Sequence, residues 1–170
     1  MLELSRIEIH TLPILLIMHG LDMTILIAFL HHLAVFTLFA SLVVELALLY
    51  QTFNQEVANK LRFFDGVYGA SAGLILVIGS IRVMSYEKGA DYYLHSGPFL
   101  IKMAIFALVG LISIYPTIVF YKWGKSLRQG VLPNFSGEQR SRIVGILYAE
   151  LVGLIFIILN AVLMAKGVQF

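Results

Sequence analysis

Seven polar side chains interrupt the apolar stretches of this 170-residue chain: His31, His32, Glu45, Arg82, Lys102, Glu150 and Asn160. A charge near the middle of a membrane-spanning helix costs at least about 2.5 kcal/mol, so residues of this kind face a bundle interior, pair with one another or line an ion path. Imidazoles beside amines could ligate a metal or receive the carboxylates of an anionic ligand. Two carboxyls at one depth could share a proton, because close carboxylates do not both ionise readily. His31 and Glu45 lie 14 positions apart, which leaves them about 40° apart on a helix, whereas His32 points about 100° away from His31. Val35, Leu38 and Leu42 continue the His31 to Glu45 stripe at steps of three or four, the spacing of a buried seam.

The elements that must hold these residues follow from composition. Hydrophobic residues make up 59% of the chain and charged residues only 13%, against about a quarter charged in a typical globular protein. Mean hydropathy is +0.89, and the bilayer is the expected solvent. A net charge of +2 without a basic stripe excludes a nucleic-acid partner. The absence of Cys excludes disulfides and thiolate metal sites.

Four continuous apolar runs are long enough to cross a membrane, which takes about 20 residues. The reading is an all-α integral membrane four-helix bundle, one transmembrane domain over 1–170, with helices at about 23–50, 67–84, 98–121 and 143–165. Loops are expected at Asn54 to Asp65, Tyr86 to Gly97 and Lys122 to Arg142, the last beginning beside Trp123 at the interface level. The apolar stretch Thr11 to Leu21 is too short to span and is read as a short N-terminal interfacial helix. Lys60, Arg62, Lys122, Lys125, Arg128, Arg140 and Arg142 crowd the first and third loops, which places those loops inside and both termini outside.

Sorted by depth, His31, His32, Lys102 and Asn160 fall in the outer half with Arg82 near its rim, while Glu45 and Glu150 form an acidic layer in the inner half. The outer layer reads as a site for an anionic ligand or a haem iron; the competing reading has Arg82 and Lys102 snorkelling to headgroups and the histidines bonding helix carbonyls. The acidic layer reads as a proton or cation path, against a competing reading in which each acid bonds neighbouring hydroxyls or a loop base. Gly66, Gly69, Gly73 and Gly79 with Ala70, Ser71 and Ala72 read as close helix packing, with dimerisation through the Gly69/Gly73 face left open. His95 beside Tyr92 and Tyr93 reads as a solvated loop histidine.

The pattern Asp65, Tyr68, Gly69, Ser71, Ala72, Gly79, Arg82, Lys88, Gly89, Phe99, Lys102, Phe106, Ser113, Pro116, Thr117 and Trp123 resembles a bacterial family of predicted inner-membrane proteins of unknown function. That resemblance implies a multi-pass bundle of the bacterial inner membrane without implying an activity, and the loop charges above make its termini periplasmic. More distantly, His31 followed by Phe39, Ala40, Ser41 and Leu42, with Lys102 within Phe99 to Met103, resembles the HemJ-type protoporphyrinogen oxidases. This implies haem b with His31 as an axial metal ligand and Lys102 as second ligand or anion partner; with the outer cationic layer, it would place the propionates near Arg82.

Three functions are expected in this order: a haem-b redox protein at His31, Lys102 and Arg82; a non-catalytic accessory or assembly subunit packed through the Gly69/Gly73 face; and proton or ion transport through Glu45 and Glu150. Whether the protein is an enzyme is not decided by its residues: it carries no serine elbow, no glycine-rich phosphate loop and no His-Glu-x-x-His helix.

Overall fold

The computed structural model of the protein describes residues 23–86 and 89–168. Its elements are α1 (Met23–Leu49), α2 (Gln55–Ile81), a single π-turn continuing α2 (Arg82–Tyr86), the short α3 (Ala90–Leu94), α4 (Gly97–Arg128) and α5 (Gly137–Ala165). The expected interfacial helix at Thr11 to Leu21 and Lys88 lie outside the described residues.

All four long helices are apolar enough to cross a membrane. Even the 27-residue α1 and α2 extend for about 40 Å, longer than the ~30 Å hydrocarbon layer. Large apolar side chains such as Phe36 (71% exposed) and Leu111 (65%) point outward, as they must where the surrounding solvent is lipid tails. Inside, Leu38, Leu42, Leu61, Phe120, Ile143 and Leu147 form one continuous core contributed by every long helix. The chain therefore runs as two antiparallel hairpins, α1/α2 and α4/α5, which meet through α2 against α4 and α1 against α5. One end of the bundle carries residues 50–54 and 129–136 and is called here the basic end; the other carries α3.

The helices are longer than their apolar runs, and this corrects the expected boundaries. The stretch Asn54 to Asp65 is the cap and first three turns of α2. The Asn54 side chain accepts a hydrogen bond from the Val57 amide at 2.9 Å, a cap worth about 1 kcal/mol, and Glu56 sits in the first turn, where the helix dipole favours it. Val57, Ala58 and Leu61 face the core while Lys60 pairs with Glu56 on the outside. The third loop likewise shrinks to 129–136. Lys122 to Arg128 belongs to α4 and Gly137 to Arg142 to α5, with Ser136 capping the Gln139 amide at 3.1 Å. Hydropathy marks where a helix leaves hydrocarbon; the hydrogen-bond ladder continues into the headgroup layer wherever one face stays apolar.

Gly130, at φ 72°, ends α4 in a Schellman turn: its own amide bonds the Leu127 carbonyl and the Val131 amide bonds the Ser126 carbonyl. Trp123 is not at a loop start. It is buried in α4 and packs against Phe53, Phe120 and Phe135, with ring centroids 5.0 to 5.3 Å apart, closing the basic end of the bundle.

Candidate functional site

The acidic layer contains a third carboxyl. Asp65, expected at a loop end, lies ten residues inside α2, about 15 Å along the helix. Its Oδ1 accepts a hydrogen bond from the Thr117 hydroxyl of α4 at 2.7 Å. Glu45 on α1 and Glu150 on α5 are only 2% and 1% exposed. Asp65 interacts electrostatically with both, and Tyr68, one turn beyond it on α2, interacts with Glu150. Four helices thus converge on one polar cluster: Glu45 from α1, Asp65 and Tyr68 from α2, Thr117 from α4 and Glu150 from α5.

This cluster has two unusual features. Glu45 Oε1 and Glu150 Oε1 are fully buried without a hydrogen-bond partner. None of the three acids forms an ion pair among the described residues, whose pairs are Lys60–Glu56, His95–Asp91 and Arg142–Glu138. Arg62, three positions before Asp65, does not supply a counter-charge. Its guanidinium lies over Gly124 of α4, where an added Cβ would come within 2.6 Å of Nη2, so Gly124 makes room for it. Burying uncompensated carboxylates is strongly unfavourable, so the stable states of the cluster carry bound protons or a bound cation. Among the described residues no group of three His, Asp or Glu side chains has the geometry to hold a metal ion.

At the α3 end, the expected basic layer also converges. His31 interacts with Arg82, His32 and Lys102, and its ring lies against Gly79, whose added Cβ would stand 3.4 Å from His31 Cε1. His31 Nδ1 is buried without a partner. The adjacent His32 faces outward and its Nδ1 sits 2.6 Å from the Ala28 carbonyl of its own helix. Lys102 Nζ stands 5.1 Å from the Phe99 ring. Asn160 is buried and donates to the Phe156 carbonyl at 2.9 Å, so its own helix satisfies it. His95 is exposed just past the C-terminal end of α3, with Nδ1 2.8 Å from the Asp91 carbonyl.

The glycine face of α2 behaves differently from expectation. A Cβ at Gly66, Gly69 or Gly73 would meet nothing within 4 Å, so within the chain this face is not closely packed; Gly69 instead lines a cavity of about 80 Å³. Close approach occurs between α4 and α5, where a Cβ at Gly153 would stand 2.5 Å from Val109 Cγ2.

The fold and this interior define an integral membrane four-helix bundle with a buried acidic cluster and a basic cluster at the opposite end. The chain belongs to the DUF2214 family of predicted membrane proteins, whose family model matches residues 23–169. No curated protein and no solved structure matches it.

Asp65, Tyr68 and Thr117 are the site residues that a reading by hydropathy and depth missed. The available signal was the Asn54 cap followed by apolar Val57, Ala58 and Leu61, which extends α2 backward far enough to put Asp65 inside it.

Proposed function

We propose that the protein conducts protons across the membrane through Glu45, Asp65 and Glu150. One observation carries this reading: two carboxyls on different helices, each with a fully buried and unpartnered oxygen, lie beside a third with no basic side chain paired to any of them. A carboxyl with a free acceptor can take a proton there and pass it on. The Thr117 hydroxyl holds Asp65 in place as a donor, and Tyr68 interacts with Glu150. Intramembrane acids of this kind mark proton relays in pumps and transporters. In this reading the basic end faces the cytoplasm of a bacterial inner membrane, following the positions of Lys60, Arg62, Lys122, Lys125, Arg128, Arg140 and Arg142.

The test is proton uptake into liposomes holding the purified protein and a pH-sensitive dye, driven by a potassium gradient with valinomycin. Wild-type vesicles should outpace empty ones, and Glu150→Gln and Glu45→Gln should each slow the flux about tenfold or more. Wild-type flux equal to that of empty liposomes sinks the reading.

A second reading is a haem b held at the α3 end, favoured by the convergence of His31, Arg82 and Lys102 and by the unpartnered His31 Nδ1. His31 would take the iron, Arg82 the propionates and Lys102 the second axial position or an anionic group; the cofactor would supply electron transfer. The 80 Å³ cavity does not border these residues, and the His31 ring is already packed on Gly79, which is why this reading stands second. A reduced-minus-oxidised spectrum of haem-supplied protein beside His31→Ala checks it.

A further inference from the structure

The cavity of about 80 Å³ lies between α2 and α4 and is bordered by Tyr68, Gly69, Ala72, Gly110, Ser113 and Thr117 among others. It extends from the acid cluster toward the α3 end, since Gly69 and Ala72 follow Tyr68 along α2 and Ser113 and Gly110 precede Thr117 on the antiparallel α4.

Its size decides what it can hold. At roughly 30 Å³ per water molecule it takes two or three, and it opens to the bundle surface beside the exposed Gly69, Gly110 and Thr117. Leu38, Phe106, Val109 and Leu154 make most of its wall apolar, so the two to four partners that each buried water requires must come from its few polar groups. Three residues that carry hydroxyls, Tyr68, Ser113 and Thr117, are among those that line it. Ser113 donates its proton to the Gly110 carbonyl at 2.8 Å and Thr117 donates to Asp65 at 2.7 Å, so both oxygens keep lone pairs free to accept from water. Tyr68 and Thr117 each touch the cavity on one side and an acid of the cluster on the other. The small side chains of Gly69, Ala72 and Gly110 leave the space open.

We propose that this cavity holds a short chain of water molecules, hydrogen-bonded to the Tyr68, Ser113 and Thr117 hydroxyls, that delivers protons between the acid cluster and the α3 half of the bundle. The inference rests on the proton-conduction reading and names the species moved as the proton. A proton arriving on the chain moves from water to water and onto a carboxylate of the cluster, and the last water is left neutral; no other bond forms or breaks.

The absence of cysteine makes the test clean. Ser113→Cys gives a single thiol at the cavity, and Leu111→Cys gives one on the lipid face, where Leu111 is 65% exposed. Proteoliposomes are treated with silver ion, quenched, unfolded and titrated with a maleimide dye. Silver should block Ser113→Cys and spare Leu111→Cys. In parallel, Gly110→Val, at a position where an added Cβ meets nothing within 4 Å, should narrow the space and cut proton flux about tenfold while the protein keeps its elution profile in detergent. The milder Gly110→Ala should give an intermediate flux. Replacing sodium by choline in the buffers should leave wild-type flux unchanged.

Equal protection of both thiols from silver, in protein that conducts protons, overturns the water chain and leaves the conduction reading standing. Wild-type flux after Gly110→Val overturns it as well, and flux that requires sodium overturns the assignment to protons. Silver reactivity at Ser113→Cys in protein without proton flux removes the conduction reading on which the delivery role depends.

Discussion

Asp65 and Thr117 are joined across α2 and α4 by one hydrogen bond at 2.7 Å, and its two ends can be separated by substitution. Thr117→Val keeps the side chain's shape and removes the donor. Because Asp65 is only half-buried, the loss should be near the ordinary value for one hydrogen bond, about 1 kcal/mol, read as a lowered thermal midpoint in detergent. Thr117→Ser should restore most of it. Asp65→Asn retains an acceptor and should cost less stability than Thr117→Val, yet it removes an ionisable group from the cluster. Proton flux should therefore fall more in Asp65→Asn than in Thr117→Val, a reversal of the stability order that a purely structural Asp65 would not produce. Equal effects in both assays would reduce Asp65 to a packing role. Glu45 and Glu150 were legible from the sequence because nothing near them is polar. Asp65 was hidden by its neighbours Lys60 and Arg62, whose charges made a helical segment look like a loop.

At the level of the elements, the glycines of α2 and α5 answer differently to the same substitution. A methyl group at Gly153 would stand 2.5 Å from Val109 Cγ2 on α4, and neither side chain there has a flexible end that can swing away. Gly153→Ala should destabilise the protein by about 1 to 3 kcal/mol through overpacking. Gly66→Ala meets nothing and replaces a poor helix former by the best one, so it should be neutral or stabilising by up to about 1 kcal/mol. Thermal unfolding of the two variants side by side checks the pair; a stable Gly153→Ala would mean that the hairpin α4/α5 is packed more loosely than its geometry states. This contrast also marks how far sequence patterns reach. The spacing of Gly69 and Gly73 says where a backbone could come close, but only the neighbouring helix decides whether one does, and here α4 leaves a cavity instead. The same limit applies to Trp123. A single Trp beside Lys122 and Lys125 fits an interface anchor, yet Phe120 from its own helix and Phe53 and Phe135 from the two loops enclose it. Trp123→Ala should cost about 3 to 5 kcal/mol, with loss of the blue-shifted emission of a buried indole in the wild type.

For the whole molecule, the division of polar residues between the two ends sets the direction in which the bundle is read. The acids lie nearer the basic end and the His31, Arg82 and Lys102 group lies at the α3 end, so in the proton-conduction reading the orientation in the membrane determines which compartment the acids exchange protons with first. The number of spans was legible because four apolar runs cannot be hidden, and the side on which each loop emerges follows from it. What remained was the absolute sense, which rests on the seven Lys and Arg at the basic end, all carried on helix ends rather than in the short loops themselves. The proposed orientation puts such charges at the cytoplasmic surface because carrying them across during insertion is unfavourable. Gln51 and Asp91 are exposed at opposite ends, and in a chain without cysteine each can be replaced by a unique thiol. A membrane-impermeant maleimide added to intact spheroplasts should label Asp91→Cys and spare Gln51→Cys, and inside-out vesicles should give the reverse. The opposite pattern would put the basic end outside and turn the acid cluster toward the periplasmic proton pool, so the proton path would then be filled from the side where the chain's own basic residues repel the incoming charge.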